Sequence, residues 1–106
     1  MIARIWHGIT DASKADEYVE FLNRTGVHDY QATEGNLGVH ILRRIERGQA
    51  HFLTLTFWES VEAIKRFAGE DFEKARYYPE DHEYLLEFEE TVTHYEVMYS
   101  QGAKRP

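Results

Sequence analysis

Six histidines are the side chains best able to move protons or hold a metal near neutral pH: His7, His28, His40, His51, His82 and His94. None stands four residues from another, so no pair shares a helix face at the spacing of a zinc hydrolase. His40 and His51 can share a strand face, but no carboxylate follows at ligand spacing, and no metal site is expected. Cysteine is absent, which removes disulfides, thiolate nucleophiles and sulfur-ligated clusters. No Gly-x-Ser-x-Gly elbow occurs, and Gly35 and Gly38 are not spaced as a phosphate or dinucleotide loop. Hydrolase and kinase chemistry thus have no starting point. The chain has 15 aromatic residues (2 Trp, 7 Tyr, 6 Phe) among 106. Such rings fill a small core, and they also suit a pocket for a flat organic molecule.

The carboxylates carry little further signal. Most fall at polar helix positions or strand edges. Glu59, directly after Trp58, stands apart by its place, although an acid there also serves the first turn of the helix that follows. Lys plus Arg is 12 and Asp plus Glu is 19, a formal charge of −7. That surface repels phosphate backbones and anionic lipid, so neither nucleic acid nor membrane is an expected partner. The first sixteen residues, MIARIWHGITDASKAD, lack the apolar run of a signal peptide or a membrane span. A cytoplasmic protein is expected.

Positioning these residues requires elements, and six are legible. Ile2–His7 is rich in β-formers and reads as strand one. Ser13, with Asp16 three residues on, has the form of a capping box opening helix one. Its apolar positions are Ala15, Tyr18, Val19 and Leu22, and Gly26 is its stop. The stretch VHDYQAT reads as irregular. Leu37–Glu46 and Ala50–Trp58 read as strands two and three, joined at Arg47-Gly48. Ser60 caps helix two, with Val61, Ile64 and Phe67 on its apolar face and Gly69 at its end. A short helix over Asp71–Tyr78 and a turn through Glu80–Leu86 precede strand four, Glu87–Tyr99. The order β-α-β-β-α-β is an α+β, ferredoxin-like plan: a four-stranded antiparallel sheet with helices on one face. Residues 1–99 form the expected domain and 100–106 a loose tail.

Hairpin arithmetic sorts the side chains. If Glu46 pairs with Gln49, Leu42 faces Leu53 and His40 faces Leu55. One face then carries His40, Leu42, Arg44, His51, Leu53, Leu55 and Phe57. The other carries Val39, Ile41, Ile45, Phe52, Thr54, Thr56 and Trp58. Both are apolar, and two helices cover only one. The same face of a second copy is the simplest cover for the other, so a homodimer is expected.

The most informative stretch is FLTLTFWESVEAIKRF, Phe52–Phe67: a buried strand ending in Trp, then Glu-Ser capping an amphipathic helix. This junction, inside a βαββαβ chain of about this length, resembles the antibiotic biosynthesis monooxygenase family of dimeric α/β barrels. The resemblance implies a hydrophobic pocket between sheet and helices in each protomer. Quinone-forming members of that family oxidise aromatic polyketides with dioxygen and no cofactor, the substrate anion itself reducing oxygen. Their strand-three Trp is matched here by Trp58. Their Asn on the same strand is not matched; Thr54 stands four residues before Trp58 on the same face. The haem-degrading branch places a Trp on the second helix and a histidine beyond it, at positions that fall near Phe67 and Tyr77. Its strand-one Asn falls near His7 or Gly8.

The resulting expectation is cofactor-free oxidation of an aromatic or enolic small molecule. His7 takes the proton, because imidazole suits an acidic phenol or enol near neutral pH. Trp58 acts with it, Thr54 bonds a carbonyl oxygen, and Trp6, Phe67, Phe72 and Tyr77 form the substrate wall. Trp6 and His7 are adjacent on strand one, so only one of them points toward the helices, and alternation alone leaves open which. Trp58 has an ordinary role open to it as well, packing the corner between strand and helix. The competing class is a non-catalytic ligand-binding or stress-related barrel protein, with haem degradation third.

Overall fold

The structure, a computed structural model, describes residues 1–102; the last four residues of the expected tail lie outside the described residues. Strand β1 (Ile2–Asp11) leads through a 3₁₀ turn (Ala12–Lys14) into α1 (Ala15–Arg24) and α2 (Gly26–Ala32). The hairpin β2 (Asn36–Glu46) and β3 (Gln49–Trp58) follows, then α3 (Val61–Ala68), a 3₁₀ turn (Pro79–Glu83) and β4 (Thr93–Glu96). The sheet is antiparallel, in the order β2-β3-β1-β4. This is the ferredoxin-like α+β arrangement that the sequence predicts.

Register follows the hairpin arithmetic. Glu46 pairs with Gln49, Leu42 with Leu53 and His40 with Leu55. The connecting residues Arg47 and Gly48 both have positive φ, 51° and 77°, as a two-residue turn matched to strand twist demands. Arg47 thus sits in the left-handed region without being glycine. At the other junction, Ser60 caps α3 by accepting from the Ala63 amide, and Gly69 closes it at φ 88°.

Four local expectations are corrected. Asp11, not Ser13, caps the first helical turn: its Oδ1 accepts from both the amide and the hydroxyl of Ser13. Asp16 pairs instead with Arg43 at 2.7 Å. Gly26 does not end helical structure; it opens α2, which seats Tyr30 in the core. Seven residues are too few for periodicity to reveal. Asp71–Tyr78 is not a helix, because Tyr78 precedes Pro79 and holds the extended conformation that proline imposes on its neighbour (ψ 153°). Strand four is four residues rather than thirteen. The segment before it runs back along the helix side, bridging Lys74 with Thr91 and Thr10 with Leu85.

Two clusters make the core on the helix side of the sheet. One gathers Tyr18 and Phe21 of α1 with Phe52, Trp6 and Leu85. The other joins Trp58 to Ala63, Ile64 and Phe67 of α3 and to Tyr30 of α2. Among the described residues, no helix is long and apolar enough to cross a membrane.

Candidate functional site

Strand alternation decides what faces the helices. β1 pairs with β3 so that Arg4, Trp6, Gly8 and Thr10 lie opposite Thr56, Thr54, Phe52 and Ala50. All eight are buried. Trp6 therefore points under the helices, and His7 points to the opposite face. A Cβ at position 8 would run into the Trp6 indole, so Gly8 is the space into which that ring is laid.

A cleft opens where the two core clusters meet. Its cavity volume is about 30 Å³, and it is open to solvent on one side. Six rings line it: Trp6, Tyr18, Tyr30, Phe67, Tyr77 and Tyr78. Thr54 reaches it from β3, and three charged side chains complete it: Arg4, Arg76 and Asp81.

The polar contacts explain how the walls hold. Trp6 Nε1 donates to the Tyr77 hydroxyl at 3.2 Å, and that hydroxyl donates to the Glu89 carbonyl at 2.6 Å. Asp81 is 3% exposed. Its Oδ1 accepts from the Tyr18 hydroxyl at 2.9 Å and its Oδ2 from the Tyr78 amide at 2.7 Å. Burial pushes the Asp81 carboxyl above the usual carboxylate range, against the pull of those two donors. Asp29 behaves oppositely: the Tyr78 hydroxyl donates to it and holds it below that range. Arg76 Nη2 lies 3.4 Å from the same Asp29, at the rim. Its guanidinium is 4.7 Å from the centroid of the Phe67 ring.

Arg4 differs from Arg76. It is 1% exposed, and Nη2 donates to the Lys74 carbonyl at 3.1 Å. Its Nε has no partner among the described residues. Among the described residues, no carboxylate lies within ion-pair distance of it. Burial lowers its pKa from 12.5, opposed by the neighbouring Tyr30 phenol.

The expected site is brought together in part. Trp6, Thr54, Phe67 and Tyr77 line the cleft. His7 does not: it stands on the open face, with Nδ1 3.1 Å from Glu89 and Nε2 3.4 Å from His51. The expectation that His7 takes a proton from a molecule in this pocket is corrected by alternation. Trp58 is wholly buried behind Tyr30 and Phe67, and its Nε1 donates to Thr56 at 2.8 Å. It supports the wall without lining it. Phe72 lies outside the cleft, against His94. Reasoning from sequence missed Arg4, Asp81, Tyr30 and Arg76; it placed Tyr18 on the apolar face of helix one without assigning it to the pocket, and left Tyr78 as pocket wall or plain core. Arg4 was recoverable, since it shares the parity of Trp6; Tyr30 sits on a helix too short for periodicity to reveal, and Arg76 and Asp81 lie on the chain after α3, whose path no periodicity describes. Among the described residues, no three of His, Asp and Glu converge as a metal-binding set.

No protein-family model matches the chain, and no curated protein matches it in sequence. Solved structures do match in fold. An antibiotic biosynthesis monooxygenase from Bacillus cereus, described as putative, superposes with a TM-score of 0.63 at 19% identity, covering 96% of this chain and 97% of that one. The heme-degrader MhuD from Mycobacterium tuberculosis, with two hemes bound in its active site, superposes with a TM-score of 0.59 at 22% identity, covering 96% and 100%. An MhuD variant with two manganese protoporphyrin IX molecules per active site gives 0.61 at 21%, covering 97% and 100%.

Proposed function

We propose that this chain, which has the fold shared by those structures, is a monooxygenase-type oxidoreductase acting on an aromatic or enolic small molecule without a cofactor. The observation that carries the proposal is the cleft: six rings around one buried carboxylate whose proton affinity is raised. Rings hold a flat substrate by stacking and edge contacts. Asp81, its carboxyl raised by burial above the usual carboxylate range and turned to the cleft, is the group suited to take a phenolic or enolic proton. The resulting carbanion-like ring is electron-rich enough to reduce dioxygen directly. One oxygen atom enters the ring as a carbonyl; the other leaves as water with the two hydrogens lost by the substrate. Thr54 supplies a hydroxyl for a substrate oxygen.

MhuD holds two hemes in its active site, and the residues here do not fit that group. Among the described residues, no histidine lines the cleft. The Tyr77 hydroxyl, the nearest substitute in sequence, is already engaged by Trp6 and by the Glu89 carbonyl.

The test is oxygen uptake by the purified protein with phenols and quinols. Asp81→Asn lowers the rate by about 10²-fold or more, the range of a general base, while His7→Ala stays within a few-fold. Oxygen uptake lost in His7→Ala and kept in Asp81→Asn overturns the assignment. If no phenol or quinol drives uptake, the chain is a ligand-binding barrel.

The open face belongs to the same proposal. Leu42 and Leu53 are 46% and 37% exposed there. A second copy of the sheet is the cover we propose. Sedimentation at micromolar concentration shows a dimer if this holds, and a monomer if it does not.

A further inference from the structure

A guanidinium buried without a carboxylate needs an explanation. Arg4 is 1% exposed, its polar neighbours are the Lys74 carbonyl and the Tyr30 phenol, and among the described residues its Nε has no partner. The other cleft-lining arginine, Arg76, has Asp29 as a partner. Stability gives no reason to place an unpaired charge under helices, since desolvation outweighs these two neutral contacts. The Phe67 ring, 5.5 Å from the Arg4 guanidinium, softens that penalty without removing it.

We infer that the cleft takes a flat aromatic molecule carrying one negative charge, a carboxylate or an ionised enol, and that Arg4 is the residue that binds this charge. The inference rests on the reading of the cleft as a substrate site and names its substrate class. Arg4 and Asp81 both line the cleft without forming an ion pair. Asp81 therefore does not neutralise the cation, which remains available to a ligand. The rings of Trp6, Tyr30 and Phe67 provide the flat, apolar part of the contact. A planar guanidinium suits the two oxygens of a carboxylate better than an ammonium would.

The experiment compares two probes of one shape, 2-naphthoate and its neutral isostere 2-naphthamide, binding to the wild-type protein, Arg4→Met and Arg4→Lys by calorimetry. Wild type binds naphthoate about tenfold or more tightly than naphthamide, the worth of one charge-assisted contact. Arg4→Met brings the two within about threefold, leaves the amide affinity in place, and melts no lower than wild type without ligand. Arg4→Lys keeps part of the preference. Equal binding of the two probes to wild type overturns the inference, as does a preference that survives in Arg4→Met, or failure of both probes to bind. Should Arg4→Met not fold, the wild-type pair and Arg4→Lys decide. Oxygen uptake is read separately: naphthoate preference without uptake by any phenol or quinol leaves this inference standing and removes the oxygenase reading. Uptake with equal probe binding does the reverse.

Discussion

The two faces of one sheet are built from the same strands and have opposite chemistry. On the helix side, Phe52 and Trp58 are fully buried, and even the polar residues Arg4, Thr10, Thr54 and Thr56 are at most 4% exposed. On the other side, Leu53 and Leu42 are 37% and 46% exposed, and the polar groups His7, His51 and Glu89 form a chain reached by solvent. Burial, not residue type, separates them. A threonine under the helices must bond a neighbour, whereas a histidine on the open face can bond water. Proton affinities shift accordingly. Desolvation is the leading cause for Asp81, Tyr30 and Arg4 on the covered side.

The largest break in this contrast is Trp58→Ala. Removing a wholly buried ring between α3 and α2 costs about 3–5 kcal/mol, because the surrounding Tyr30 and Phe67 collapse only in part. Chemical denaturation measures it. A loss below about 1 kcal/mol would mean that the strand–helix corner is held by something other than this ring.

Thr56→Val is a subtler probe of the same side. Thr56 Oγ1 accepts from Trp58 Nε1 at 2.8 Å and donates to the Arg4 carbonyl at 3.3 Å. Valine keeps the volume and strands a buried indole N–H, which costs about 1–3 kcal/mol. The matched substitution on exposed β4, Thr93→Val, stays within about 0.5 kcal/mol. Equal effects at the two positions would remove the difference between the faces.

The smallest effect is read in pH. The folded-state affinity of Asp81 for its proton is raised above the unfolded value of about 3.9. Between those two values the folded protein binds more protons than the unfolded chain, so this group makes stability fall as pH rises through the window. Asp29, held low by the Tyr78 hydroxyl, has the opposite sign: its contribution is present above about 3.9 and lost as pH falls through its folded value. Melting curves from pH 3 upward should therefore show Asp81→Asn gaining on wild type as pH increases. A difference that stays constant with pH would mean that the carboxyl is not raised.

Much of the fold was legible because its signals are local. Alternation in β2 and β3, the Arg47-Gly48 turn and the Ser60 cap each involve residues within a few positions of one another, and hairpin geometry then fixes register across the pair. Alternation also required that Trp6 and His7 part company, one to each face. Which of the two goes under the helices was decided by the pairing of β1 with β3, a contact between residues some fifty positions apart. The cleft depended still more on tertiary structure. Asp81 enters it only because the chain after α3 turns back across the helix side, where the Tyr18 hydroxyl and the Tyr78 amide hold the carboxylate. That path is set by packing and long-range hydrogen bonds without a repeating pattern. Sequence alone determined which residues share a strand face; tertiary structure decided which face was covered, and thereby which of their charges lost water.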